Sequence, residues 1–414
     1  MSSGTVHFLD CRGAAARAGA LIVERYNAAR PGDRLLARLD DYPPEFRIWM
    51  LEAGVRHRVA RADEGGWLLE AQRGLSPAQG SVPGVHHVVA SSDGSVWALE
   101  RGRRLARLDA EACALVAVRA VACRASHMAL DARRGRLLLA DPGEDAIVAV
   151  RASDLAIEGR WPAPGGPQLP LVTEEGVACV TGPASGTLTI LRPRGEGYET
   201  QTVAVGSCPH DPEATADGEA ALVPCAGDGT VVKVRLSDGR IEGSAAVGAG
   251  ASHCVADRGR RRFFVANSFE GTLARLGAGG ALEAKAESGG WAHALALAPD
   301  GRKVFVANFL DDTVAVFDAD TLERLALLPS EPYAHGLDVS PDGRHLVATG
   351  FSSERIRIYD AETHAERARV PVGLGSSHTA FVGGRAFVAC SVSDRVAVVE
   401  LEAGCDTARI VAMP

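Results

Sequence analysis

The sequence predicts a mainly β molecule: an eight-bladed β-propeller over residues 79–414, preceded by a small α/β two-layer unit over 1–78. Three observations predict it. Units of four short apolar runs recur along the chain, Asp-Gly-type turns separate the runs, and a histidine opens nearly every unit. The clearest unit reads Ala292-His293-Ala294-Leu295, then Pro299-Asp300-Gly301, then Lys303–Asn308, Thr313–Asp318 and Arg324–Leu328. Sliding it along the chain places unit starts at His86, His127, Gln168, His210, His253, His293, His335 and His378, spaced 40 to 43 residues apart. A turn glycine follows eight residues later at Gly94, Gly135, Gly176, Gly218, Gly301 and Gly343, which sets the register independently of the histidines. The turns of the fifth and eighth units are altered, at Arg258-Gly259-Arg260 and Gly383-Gly384. Eight starts imply eight blades, or seven if the chain ends share a blade by strand exchange. His86 and His87 compete for the first start, and the glycine spacing favours His86.

Residues 5–75 alternate between strand and helix patterns. Strands are expected over Val6–Asp10, Asp33–Leu39, His57–Ala62 and Trp67–Gln72, and helices over Ala14–Ala29 and from Pro43 and Pro44 to Leu51. The strings Leu9-Asp10-Cys11-Arg12-Gly13, Gly32-Asp33-Arg34 and Asp40-Asp41-Tyr42-Pro43-Pro44 resemble the TusA-like sulfur-carrier family. The resemblance implies a docking or regulatory unit, because the family's Cys-Pro-x-Pro falls here on Ala16-Arg17-Ala18-Gly19. Cys11, upstream, reads as a buried strand cysteine, with a substitute sulfur carrier as the alternative.

Composition excludes several functions. A net charge of −8, a pI near 5.9 and scattered Lys and Arg argue against nucleic acid and anionic membranes. No basic leader with an apolar stretch opens the chain and no long apolar run follows, so the expected setting is cytoplasmic. Nine cysteines without regular spacing read as reduced thiols, no Cys-x-x-Cys-His is present for covalent c-type haem, and neither a phosphate-cradling Gly-rich loop nor a Gly-x-Ser-x-Gly elbow occurs.

In a propeller the first strand of each blade lines the central channel, so equivalent positions converge. His86, His127, His210, His253, His293, His335 and His378 are therefore the candidate metal ligands, with His87, Gln168 and Cys208 as further candidates. Neutral imidazole suits copper, iron, zinc and nickel. Histidine that only hydrogen-bonds between blades is the structural alternative. Cys254, adjacent to His253, should face the other way. Asp141, Asn267, Asn308 and Glu100 recur on the second strands, either orienting imidazoles or bracing the blades. His7, His57, His345 and His364 fall outside the repeat.

The repeats resemble the YVTN family of propellers. The channel histidines make the chain similar to the copper propellers of nitrous oxide reductases and the haem propellers of nitrite reductases, without their electron-transfer domains. Those resemblances imply a metal-dependent oxidoreductase, with copper first and iron or zinc as alternatives, acting on a small nitrogen, sulfur or oxygen compound. A zinc or copper metallochaperone or store, and a metal-free interaction scaffold, are the other readings. A small-molecule substrate is the expected partner, with a protein docked through the N-terminal unit beside it.

Overall fold

The structure, a computed structural model, describes residues 6–12, 22, 25, 34–39, 56–61, 67–72, 84–100, 104–121, 123–125, 127–402 and 407–412. Eight four-stranded antiparallel sheets follow one another along the chain at 85–120, 127–162, 168–204, 213–246, 251–287, 292–329, 334–371 and 376–412, and are called blades 1 to 8. In every blade the strands pair in chain order, so each blade is one contiguous segment. The propeller has eight blades and closes without strand exchange.

Burial follows from where each strand lies. Second strands are apolar on both faces, and Arg262–Asn267 and Arg136–Asp141 are buried at all six positions. Successive side chains point to opposite neighbours. Phe263 and Val265 pack against blade 4, while Phe264 and Ala266 pack against blade 6. Outer strands such as Leu282–Glu287 and Ile241–Ala246 expose alternate residues. The core is thus a ring of eight layers, one between each adjacent pair of blades. The eighth layer sets Phe387, Ala389 and Val398 of blade 8 against Val85, Val96 and Ala98 of blade 1, and it closes the circle.

The N-terminal residues form a separate four-stranded sheet of β1 (Val6–Asp10), β2 (Arg34–Leu39), β3 (Arg56–Arg61) and β4 (Trp67–Gln72), in the order β1-β2-β4-β3. β1 and β2 are parallel and the other pairs antiparallel. The strands form where alternation predicts them, but the expected TusA-like α/β domain is not supported. Every element among the described residues is a strand. The helices expected over Ala14–Ala29 and through Leu51 lie outside the described residues, apart from Ile22 and Arg25, whose backbone is helical. The family-like string at Asp10-Cys11-Arg12 has a local cause: Asp10 holds the Arg12 amide at 3.1 Å and its guanidinium at 2.5 Å, which closes the strand end. Cys11 is buried, and burial pushes its thiol up to about 11, the opposite of a sulfur-carrying thiolate.

Candidate metal centre

The first strands begin at one end of the channel, and in five blades a β-bulge near the start re-aims the side chains that follow. In blades 1, 5, 6, 7 and 8 the residues paired with the end of the second strand are Val85, Ala251, Ala292, Ala334 and Ser376, and pairing then skips one residue of the first strand in blades 1 and 5 and two in blades 6, 7 and 8. A bulge bends the strand and re-aims its side chains. His86, His293 and His335 follow the paired residue directly, whereas His253 and His378 come one later, behind Ser252 and Ser377. Ser252 shares a hydrogen bond with Ser268 at 2.6 Å, and Ser377 donates to the His86 carbonyl at 2.9 Å. In blade 1 the bulge brings both His86 and His87 to the same neighbours.

Eight imidazoles form a continuous arc. Ring centroids are 4.9 Å apart for His210 and His253, 4.6 Å for His253 and His293, and 4.8 Å for His293 and His335. The step to His378 is longer, at 5.9 Å. His378 then lies 5.3 Å from His86 and 4.5 Å from His87, and His127 lies 5.0 and 5.4 Å from the same two. Blade 3 interrupts the arc with Gln168, whose carbonyl accepts from Thr181 Oγ1 at 3.1 Å. The arc therefore comprises two tetrads: His86, His87, His127 and His378 on blades 8, 1 and 2, and His210, His253, His293 and His335 on blades 4 to 7.

Within the first tetrad, one ligand nitrogen each from His86, His127 and His378 lies within 4.8 Å of the other two. Metal–nitrogen bonds of about 2.0–2.1 Å place each ring centre about 3.2 Å from an ion, so ligand rings at 90–120° stand about 4.5–5.5 Å apart. The triangle of 5.0, 5.3 and 5.5 Å satisfies that condition on every side. This histidine cluster is able to chelate a metal ion.

The channel environment keeps three of the imidazoles in ligand form. Burial lowers His87 to about 4, and burial together with neighbouring imidazoles holds His293 and His378 well below the usual value. Desolvation disfavours the imidazolium, and neutral imidazole is the form that binds metal. His87 Nδ1 and His253 Nε2 are buried without a hydrogen-bond partner among the described residues.

One carboxylate outside the sequence-predicted set, Asp211, joins the site, and two further carboxyl groups, Glu213 and Asp338, lie on the same first strands. Asp211 Oδ2 lies 3.3 Å from His253 Nδ1. Glu213 is pushed up to about 7 by burial and by the charge of Asp211, against the pull of Arg258. Asp338 is pushed up to about 7 by burial, although the Thr379 amide, one residue past His378, donates to it. Glu213 and Asp338 each lie three residues after a channel histidine, where the other blades carry Val, Leu, Ala or Phe. That contrast was legible in the sequence.

Cys208 is buried in the loop before blade 4, close enough to Cys225 to raise that thiol, and it belongs to no ligand cluster among the described residues. Cys254 packs between blades 4 and 5 with Leu222 and Phe263, away from the channel. The polar residues ending the second strands brace the blades. Asn267 donates to the Val247 carbonyl at 3.1 Å and to Thr272 at 2.9 Å, Asn308 accepts from Ser288 at 2.7 Å, Asp141 accepts the Arg124 amide at 3.0 Å, and Glu100 pairs with Arg104.

No protein-family model and no curated protein matches the chain. Its fold resembles solved structures. The Kuenenia stuttgartiensis hydrazine synthase aligns at 16% identity and a TM-score of 0.54, over 64% of this chain and 92% of that one. The dihydro-heme d1 dehydrogenase NirN, in complex with DHE, aligns at 18% identity and 0.61, over 70% and 66%. A functionally unknown protein from Desulfotomaculum acetoxidans DSM 771 aligns at 14% and 0.53, over 67% and 99%. These likenesses show the propeller fold. No helix among the described residues is long and apolar enough to cross a membrane.

Proposed function

We propose that this propeller is a metal-dependent oxidoreductase, holding copper or iron on His86, His127 and His378 and acting on a small nitrogen, sulfur or oxygen compound at the channel mouth. The observation that carries the reading is the closed triangle of three imidazoles from blades 1, 2 and 8, with His87 beside it. An all-imidazole set suits copper, iron, zinc and nickel, and copper stands highest among them at equal supply. Three protein ligands leave a position for substrate. Such a metal supplies one-electron chemistry and polarises what it binds. The protein's own part is to keep His378 and its neighbour His87 neutral by burial and to hold a proton on Asp338, whose carboxyl is pushed up to about 7 and accepts the amide of Thr379, the residue after His378. Two of the three named fold relatives, a hydrazine synthase and a dihydro-heme d1 dehydrogenase, support a redox reading by analogy of fold.

Metal analysis of protein purified from cells replete in copper and iron tests the proposal. Wild type should retain a stoichiometric redox metal with a spectrum that responds to a nitrogen- or sulfur-oxide ligand, and His127→Ala with His378→Ala should lose it. Protein that carries no stoichiometric metal would end the reading. A second reading, metal storage or transfer, is favoured by the number of imidazoles, which exceeds what one ion needs; freely exchangeable zinc with no redox response is its signature.

A further inference from the structure

We infer that the second tetrad is a metal site in its own right, with His253 and His293 as ligands, Asp211 orienting His253, and His210 and His335 flanking the pair. The inference rests on the reading of the channel as a metal centre and adds a second ion.

Three observations carry it. Consecutive rings from His210 to His335 stand 4.6 to 4.9 Å apart, each within the spacing of two imidazoles sharing an ion. The His253 and His293 rings are the closest pair in this tetrad, at 4.6 Å. Second, His253 faces Asp211 through Nδ1 at 3.3 Å, while its Nε2 is buried with no hydrogen-bond partner among the described residues. A carboxylate on one imidazole nitrogen fixes the tautomer and leaves the other nitrogen as a lone-pair donor, which is how metal-bound histidines are held. A buried acceptor with nothing donating to it is otherwise a net loss. Third, the two tetrads meet at the longest step between neighbouring rings, 5.9 Å from His335 to His378, and Gln168 interrupts the arc on the other side. Asp211 is placed by the distortion at the start of blade 4, where Pro209 bridges to Cys225, the regular strand begins only at Glu213, and the Asp211 amide donates to the Ser252 carbonyl at 3.1 Å. A hydrogen bond to blade 5 therefore sets the carboxylate against a blade 5 histidine.

The test is a titration of the metal-free full chain with Zn(II), followed by calorimetry, and with Co(II), followed by its visible absorption. Wild type should take up two equivalents. The His127→Ala and His378→Ala double variant should keep one, and so should the His253→Ala and His293→Ala double variant. Asp211→Asn should weaken the second equivalent about 10- to 100-fold and leave the first unchanged. Circular dichroism of each variant checks that it is folded. One equivalent in wild type that survives loss of His253 and His293 overturns the inference and leaves the triad reading standing. One equivalent that disappears in both double variants also overturns it, since the ring would then hold one shared centre. No uptake by wild type defeats both readings.

Discussion

Asp338 is a carboxyl group whose ordinary value is 3.8 and which the folded protein moves to about 7. The native state thus keeps a proton that the unfolded chain has already released. Its contribution to stability is complete below about pH 4 and is lost as pH rises through 7. In metal-free protein, Asp338→Asn keeps an acceptor for the Thr379 amide and removes the ionisation, so the variant should exceed wild type by about 1–3 kcal/mol at pH 8 and match it at pH 4. Thermal or urea melts at the two pH values decide it; a gain independent of pH would contradict the placement of this group. His87 has the opposite sign. Its value falls to about 4, so the native state binds fewer protons than the unfolded chain and loses stability as pH drops from 6.5 through 4. His87→Gln should flatten the acid limb of the metal-free melt. At this scale the sequence was informative wherever the repeat spoke. The period and the turn glycines located seven channel histidines, but they did not separate His253 and His378, which follow a bulge serine, from His293 and His335, which do not. Nor did they reach Asp211, because the start of blade 4 departs from the repeat.

The first strand of a blade, as an element, has to pass close to its neighbour before its histidine reaches the channel. In blade 7 that passage falls on Gly336, where a Cβ would lie 1.8 Å from the Ser377 carbonyl oxygen of blade 8. Thr349 ties the same three segments: its hydroxyl accepts the Gly336 amide at 2.8 Å and donates to Ser377 at 3.0 Å. Gly336→Ala pushes backbone against backbone, which no rotamer change relieves, and should destabilise the protein by at least about 2 kcal/mol. It should also weaken metal binding at His378, whose position depends on the displaced Ser377. Equilibrium denaturation with a parallel metal titration measures both. The element scale is also where the sequence misled. Four N-terminal strands were legible from alternation, whereas the family-like string at Asp10-Cys11-Arg12 records a strand end and its Asp10–Arg12 turn.

The whole molecule owes its shape to eight apolar layers in a circle, and that number was legible because the unit is one supersecondary structure that cannot bury its faces alone. The manner of closure was not, since the sequence does not say whether the ends exchange a strand. Instead, side chains reinforce the last layer. Arg385 Nη1 of blade 8 donates to the carbonyls of Ala110 and Glu111 in blade 1 at 2.6 and 3.1 Å, and Arg104 reaches Asp394 at 3.3 Å. Arg385→Ala should lower stability by about 1–3 kcal/mol. Hydrogen exchange should show the loss first in the strands on either side of the blade 8 and blade 1 junction; uniform loss around the ring would argue that closure is no weaker there than elsewhere.

His86 and His378 sit on the two sides of that junction, 292 positions apart along the chain. An ion shared between them is a cross-link between the ends of the ring. By the chain-entropy relation for cross-links, a loop of this length restricts the unfolded ensemble by about 5–6 kcal/mol at about 25 °C. The protein would thus be hardest to open when loaded, and stripping the ion would leave the circle to the single apolar layer and its few polar ties.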